Sequence, residues 1–158
     1  MKARQIDLSE AASVQDAMRR IAIVRFAEVL ALASALRRRR MQELHDLRIA
    51  CKRLRYTLER FARSEPSLFD AVTRLTQLQD ALGEAHDRDV LARDLPKELH
   101  ETRHRLQAQR EESIDRARAL WHDAFAPYGP FEGLVRFTGL GTAYRLGDGV
   151  AAAPAPHS

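Results

Sequence analysis

The chain has 158 residues, of which 30% are charged and 6% aromatic, and it contains a single cysteine, Cys51. This length suits one domain that buries a core without covalent cross-links, and a lone cysteine excludes an intramolecular disulfide. The formal net charge of +4 does not by itself demand an anionic partner, but residues 19–55 hold eleven Arg or Lys against three acids. A local excess of this sign attracts polyanions such as nucleic acid, polyphosphate or an acidic membrane surface.

Apolar residues at helical spacing predict long helices from the N-terminal region onward. The first is predicted to begin with Ser9 as N-cap and to continue through residues 14–32 to the basic run Arg37–Arg40. After a break near residues 40–43, a second helix continues to about Arg63. The third starts at Ser64-Glu65-Pro66, where proline is tolerated in the first turn.

Glycine and proline are expected to punctuate the second half of the bundle. Gly83 is predicted to end or kink the third helix, so that residues 84–89 form a corner. A fourth helix is predicted from about Asp87, with a bend at Pro96, to Phe125.

Composition changes after Pro127, since six of the seven glycines lie between Gly129 and Gly149. We therefore predict an all-α antiparallel helical bundle with long helices in residues 8–126, followed by a flexible, partly disordered Gly/Pro-rich tail in residues 127–158. The N-terminal residues lack the apolar core of a signal peptide, and no stretch reaches the roughly 18 apolar residues of a membrane span. The expected location is cytoplasmic.

Residues 45–59 carry the main functional signal. On a helix, one side within about 100° gathers His45, Arg48, Lys52, Arg55, Tyr56 and Glu59. The opposite side gathers Leu47, Cys51, Leu54, Leu58 and Phe61. Arg48, Lys52 and Arg55 follow one another at about 5 Å along the helix axis, a spacing that suits an extended anion lying along the helix. Cys51, on the apolar side, is interpreted as a buried small hydrophobe.

Two spaced segments resemble the CHAD family, α-helical domains named for their histidines. The first is the string His45-x-x-Arg48-x-x-x-Lys52-Arg53-x-Arg55-Tyr56-x-x-Glu59, and the second is Leu78-Gln79-x-x-Leu82-Gly83-x-x-His86-Asp87. The resemblance covers roughly residues 14–95. It implies an all-helical, non-catalytic domain that binds inorganic polyphosphate along a basic surface, and in some members an association with polyphosphate granules.

The resemblance also implies which residues bind the polymer. The motif positions are His45, Arg48, Lys52, Arg53, Arg55 and His86. Basic neighbours added as further candidates are Arg37, Arg38, Arg40 and Arg88. Supporting residues that orient or cap the basic side chains are Tyr56, Glu59 and Asp87.

Family members are built from two similar halves, whereas this chain has one copy of the motif, in the form of the C-terminal half. Residues Ile21, Val24, Phe26, Leu30 and Leu32 of the first helix spread over more than one face. We therefore expect either a homodimer or a partner chain to supply a second basic stripe.

Other functions are weaker alternatives. The same charge could serve a helical nucleic-acid-binding protein, but aromatic residues placed for base stacking and a helix-turn-helix pattern are missing. An enzyme of phosphate metabolism using His45 or His86 is less favoured, since no nucleophile-and-base pattern or Walker loop is found. His100 and His104 stand four residues apart, yet such pairs are common by chance, so neither a metal site nor a cofactor is expected.

Overall fold

The computed structural model describes residues 1–145, and every regular element in that range is helical. The elements in chain order are α1 (Val14–Leu32), α2 (Ala35–Arg38), α3 (Met41–Phe61), a 3₁₀ turn (Pro66–Leu68), α4 (Phe69–Asp94), α5 (His100–Ala124), α6 (Glu132–Thr138) and α7 (Thr142–Arg145). The predicted all-α fold with long helices is confirmed.

The N-cap of helix α1 lies four residues later than predicted. Ser13, not Ser9, is its N-cap, and the Ser13 hydroxyl accepts a hydrogen bond from the N–H of Asp16 at 3.0 Å. The N–H of Ser9 instead donates to the Asp7 carboxylate at 2.9 Å, in a turn that precedes the helix. Both serines have a capping side chain, and only Ser13 stands three residues before a free helical amide.

The break between the first two long helices lies at Arg39 and Arg40. Arg39 adopts a left-handed conformation with φ of 59°, and Arg40 is extended before α3 starts at Met41. The guanidinium of Arg39 bonds Glu111 and Asp115 of α5, which hold this corner against the bundle. The predicted break near residues 40–43 is therefore displaced by only one residue.

Helices α3 and α4 form an antiparallel pair joined by a short connection. The apolar side of α3 is fully covered at Leu47, Cys51, Leu54 and Leu58. Leu75, Leu78 and Leu82 of α4 are equally buried in the same core. Because these leucines recur at intervals of three and four, burial of one stripe on each helix holds the pair together.

Helix α4 continues through Gly83 to Asp94, so the predicted C-cap and the corner at residues 84–89 are wrong. A helical glycine costs roughly 1 kcal/mol relative to alanine, whereas burying one leucine side chain contributes about 2 kcal/mol. Leu82 and Ala85, on either side of Gly83, are both buried and continue the core stripe. Packing therefore outweighs the local preference for termination.

The predicted bend at Pro96 is wrong, because the helix ends before this proline. Leu95 is extended before Pro96, α4 stops at Asp94, and α5 begins afresh at His100 rather than continuing through a bend. Helices α4 and α5 are antiparallel too: Arg74 near the start of α4 bonds Asp123 near the end of α5 at 2.8 Å.

The predicted tail is folded over its first part. Phe131, Leu134 and Val135 are buried, and α6 packs so closely on the 3₁₀ turn that a Cβ on Gly133 would lie 1.9 Å from the carbonyl oxygen of Ser67. The prediction of a flexible tail from residue 127 is therefore wrong as far as residue 145, because glycine serves close backbone approach here. The remainder of that predicted tail, residues 146–158, lies outside the described residues.

Candidate functional site

The exposed ridge of α3 separates two grooves. Lys52, Tyr56 and Glu59 are exposed along the ridge. On one flank Arg48 and Arg55 meet α4, and on the other flank the N-terminal segment and α1 meet the remaining basic residues of α3. We call the first of these the α3–α4 groove.

The antiparallel register of α3 and α4 brings the two sequence segments together. Three facing pairs define the α3–α4 groove: Arg55 with Gln79, Arg48 with Gly83, and His45 with His86. On α4 these positions are spaced by four and three residues, so they share one helical face. The sequence motif contains Gln79 and Gly83 at this spacing, but the sequence analysis gives neither residue a role in the site.

The two histidines lie at one end of the groove. Their ring centroids are 5.3 Å apart, with the rings tilted by 36°. The Nδ1 atom of His45 is buried and has no hydrogen-bond partner within residues 1–145. Buried polar atoms are nearly always paired, so an open one marks a place where a ligand atom or water is expected.

Arg48 stands beside the histidines, over Gly83. A Cβ on Gly83 would be 3.5 Å from Arg48 Nε and 3.9 Å from its Nη2. The same Nε is buried and lacks an acceptor among the described residues. A guanidinium has five N–H donors in a fixed fork, and Arg48 is only half-buried, so the rest of the fork keeps donors for an anion.

Arg55, at the other end, is held by its neighbours. Its Nε donates to Gln79 Oε1 at 2.6 Å, and its Nη1 donates to Glu59 at 2.8 Å. Its guanidinium also lies 4.6 Å from the ring centroid of Tyr56, and Lys52 Nζ lies 5.7 Å from the same ring. These contacts orient the two cations toward one side of α3.

Arg53 belongs to the other flank. It was assigned through the family motif, and its Nη2 donates to the carbonyl oxygen of Met1 at 2.5 Å, away from the α3–α4 groove. It lines a cavity together with Ile21 of α1. The structure therefore does not bring Arg53 together with Arg48 and Arg55.

The basic run after α1 is divided among several partners. Arg38 and Arg40 are exposed and approach Glu43 at 3.8 and 3.4 Å. Arg37 is exposed as well and borders a small cavity beside Arg118 of α5. Arg38 and Arg40 thus stand near the start of α3, whereas Arg37 faces α5.

The residues after His86 have different surroundings from those expected. Asp87 is exposed in the interior of α4, so it cannot cap a helix N-terminus. The guanidinium of Arg88 donates to the carbonyl oxygen of Glu84 at 3.4 Å. The Glu84 carboxylate bonds Arg116 of α5, and this hydrogen bond is the main cause that holds the pKa of Glu84 below its usual range.

Sequence reasoning missed Arg110, which is buried between α4, α5 and the corner at Arg39. Its Nε donates to Asp89 at 2.6 Å, and its Nη2 donates to the Arg39 carbonyl oxygen at 2.6 Å. Its Nη1 also donates to Glu111 at 2.8 Å, and a buried arginine with three hydrogen bonds fixes the relative position of the elements that it joins. An isolated arginine in a charged helix gives no sequence signal for this role.

Comparison with known families finds a match over the first four helices. The CHAD domain model matches residues 2–96, which contain α1 to α4 and both facing segments. The chain belongs to the CHAD domain family. CHAD domains are known to bind polyphosphate. No curated protein and no solved structure matches this CHAD chain.

The family match ends just after α4, although the CHAD chain continues its fold beyond that point. Helix α5 packs along α4, and α6 packs against α1 and α4.

Within residues 1–145, no group of three or more His, Cys, Asp or Glu side chains is placed to hold a metal ion. None of the described helices has both the length and the hydropathy needed to cross a bilayer.

Proposed function

We propose that this CHAD chain binds inorganic polyphosphate, without turning it over, in the α3–α4 groove. The observation that carries the proposal is the pair of buried, unpartnered nitrogens, His45 Nδ1 and Arg48 Nε, on the same flank of α3. Phosphate oxygens are strong acceptors for guanidinium N–H groups and for a protonated imidazole. An anionic ligand in the α3–α4 groove supplies acceptors beside both residues.

The charges along the groove fit an extended polymer. Arg48, Lys52 and Arg55 rise along α3, and His86 extends the row on α4. Glu59 and Arg55 cancel each other's charge in a 2.8 Å ion pair, and Arg48 and Lys52 keep the row positive. Arg38, Arg40 and Arg88 are proposed as outer contacts, whereas Arg37 and Arg53 face other parts of the molecule.

The decisive experiment replaces the basic side chains of this row and measures the salt dependence of polyphosphate binding. The triple variant Arg48→Gln, Lys52→Gln, Arg55→Gln should bind polyphosphate far more weakly. The slope of log K against log salt should fall by about 2, since each lost phosphate contact to a single-stranded polyanion contributes roughly 0.7. Circular dichroism and thermal melting should show that the helices persist.

A matched control loses the same charge elsewhere. Arg93, Arg105 and Arg136 are exposed on α4, α5 and α6, and changing all three to Gln should leave most of the affinity intact. Equal losses in the two triple variants would mean that only overall charge attracts the polymer, and the assigned groove would be wrong.

Competing ligands test the alternatives. In salt-matched titrations, polyphosphate should bind more tightly than single-stranded RNA, duplex DNA or orthophosphate. A preference for either nucleic acid would favour the rival binding function. Release of orthophosphate from a labelled chain would contradict the non-catalytic proposal.

If polyphosphate binding holds, we also propose that the protein associates with polyphosphate granules, which a fluorescent fusion would reveal.

A homodimer or a partner chain remains our proposal for the second basic stripe. The apolar side of α1, however, is already used within the chain: Phe26 is fully buried and packs on Phe125 and Phe131 at centroid distances of 6.3 and 5.9 Å. Phe26 is therefore not available to a dimer interface, whereas Ile21 and Val24 are only half-buried. Light scattering with and without polyphosphate should give the mass of two chains, and a monomer in both states would leave only the partner chain.

A further inference from the structure

A cavity of about 380 Å³ lies on the flank of α3 opposite the α3–α4 groove. Its walls come from the N-terminal segment, α1 and α3, and the lining residues are Ala3, Ile21, Arg25, Arg53, Tyr56, Thr57, Arg60 and Phe61. This volume falls in the range of small-molecule sites, which are usually apolar hollows with a few directed polar groups. The exposed ridge at Lys52 and Tyr56 separates it from the groove proposed for polyphosphate.

Among residues 1–145, three arginines and no acidic residue line the cavity. One of them, Arg25, is neutralised: its Nη1 donates to both carboxylate oxygens of Glu28 at 3.1 Å. Arg53 uses Nη2 on the Met1 carbonyl oxygen, whereas its Nη1 is buried without an acceptor among the described residues. Arg60 is exposed and makes no hydrogen bond or ion pair within residues 1–145. Arg53 and Arg60 therefore have no ion-pair partner in the part of the chain that the structure describes.

The rest of the lining is apolar or aromatic. Ile21 and Phe61 are half-buried there, and the ring of Tyr56 forms part of the rim. The hydroxyl of Thr57 already donates to the Arg53 carbonyl oxygen at 3.0 Å, so it keeps only acceptor capacity. A bare inorganic phosphate chain has no group that gains from contact with Ile21 and Phe61. An anion that also carries a compact apolar group gains from both kinds of wall.

We propose that this cavity is a second ligand site, which takes a small organic phosphate with one aromatic group. The phosphate lies between Arg53 and Arg60, and its oxygens accept the hydrogen bond that Arg53 Nη1 otherwise lacks. The aromatic group lies against Ile21 and Phe61, beside Tyr56. Nucleoside monophosphates belong to this chemical class.

Titration calorimetry with phenyl phosphate and adenosine monophosphate tests the site. At least one should bind with a stoichiometry of one, whereas orthophosphate and adenosine, which each lack one of the two groups, should bind at least tenfold more weakly. Absence of saturable binding by both aromatic phosphates at millimolar concentration would overturn the proposal.

Variants locate the binding. Arg60→Gln should weaken the aromatic phosphate at least tenfold, and because Arg60 makes no polar contact in the described part of the chain, the fold should be unaffected. Arg53→Gln should also weaken binding of the aromatic phosphate. Because this change removes the hydrogen bond to the Met1 carbonyl oxygen, the melting temperature of the variant is measured as well. Arg105→Gln, an exposed arginine on α5, is the control. Equal affinities in wild type and Arg60→Gln would show that the ligand binds elsewhere.

The site is separable from the proposed polyphosphate function. The triple variant at Arg48, Lys52 and Arg55 should keep its affinity for phenyl phosphate, because none of these residues lines the cavity. Loss of that binding in the folded triple variant would merge the two sites and reject a separate cavity. Failure of polyphosphate binding alone would leave the cavity proposal intact.

Discussion

The guanidinium of Arg48 lies directly over Gly83. An added Cβ at Gly83 would stand 3.5 Å from Arg48 Nε, an ordinary van der Waals distance. Arg48 belongs to α3 and Gly83 to α4, so this contact joins the two segments of the CHAD motif. The missing side chain leaves room for a charged group where two helices pack.

Two substitutions at Gly83 should separate stability from binding. Gly83→Ala should raise the free energy of unfolding by about 0.5–1 kcal/mol, because alanine favours a helix and its methyl group fits. Gly83→Leu should displace the guanidinium of Arg48 and weaken polyphosphate binding several-fold. Urea unfolding and polyphosphate titration of both variants make the comparison. Unchanged affinity in a folded Gly83→Leu protein would remove Arg48 from the site.

Arg110 should be among the most sensitive polar positions. Arg110→Ala leaves Asp89, which is 16% exposed, without its 2.6 Å partner and also frees the Arg39 carbonyl oxygen. Removing one member of a buried ion pair costs about 3–5 kcal/mol, so urea unfolding should show a loss of at least 3 kcal/mol.

Lysine offers the milder change at Arg110. Arg110→Lys keeps the charge, but an ammonium group lacks the planar fork with which arginine bonds several acceptors at once. The free energy of unfolding should fall by roughly 1–2 kcal/mol. Arg105→Ala, an exposed position on the same helix, should change stability by less than about 0.5 kcal/mol. A similar cost at Arg105 and Arg110 would contradict the bracing role.

Gly133 tests whether α6 belongs to the folded unit. Alanine there would place a methyl carbon 1.9 Å from the backbone oxygen of Ser67, so either α6 or the 3₁₀ turn must move. We expect Gly133→Ala to lower the free energy of unfolding by about 1–3 kcal/mol. Thermal melting of Gly133→Ala measures this loss. Arg136→Ala, on the exposed side of α6, is the control and should change stability little. A neutral Gly133→Ala would mean that α6 contributes little to stability.

Cys51 makes stability depend on pH on the alkaline side. Burial raises the pKa of its thiol from 9.0 to about 12, so the native state keeps its proton while the unfolded chain ionises near pH 9. Ionisation then favours the unfolded state, and stability is lost as pH rises above 9. Between pH 8 and pH 10 the loss from this group should be about 1.4 kcal/mol.

The matched variant for this test is Cys51→Ala. Chemical unfolding at both pH values should show a smaller decline in Cys51→Ala than in wild type, because all other groups titrate alike in the two proteins. A thiol reagent at pH 8 should label wild type only when denaturant unfolds it. Rapid labelling of the native protein would show that the thiol is accessible.

Local patterns in the sequence were sufficient for the all-helical class, for the core stripe of α3 and for its basic side. Leu47, Leu54 and Leu58 recur with the helical period, and all three are buried in the core. The two motif segments led to the CHAD family, and the family match confirms that assignment. These features depend on residues close together in the chain, and a helix converts their spacing directly into a shared face.

Tertiary packing decided what the local signals could not. Glycine suggested an end at Gly83 and flexibility near Gly133, but these positions provide room for Arg48 and for Ser67. The reason is one of magnitude: a glycine changes local helix preference by about 1 kcal/mol, which the burial of neighbouring side chains exceeds. Arg53 and Arg55 are two residues apart in one motif, yet they face different grooves, because only the packing of α1 and α4 on either flank of α3 determines which partner each arginine meets.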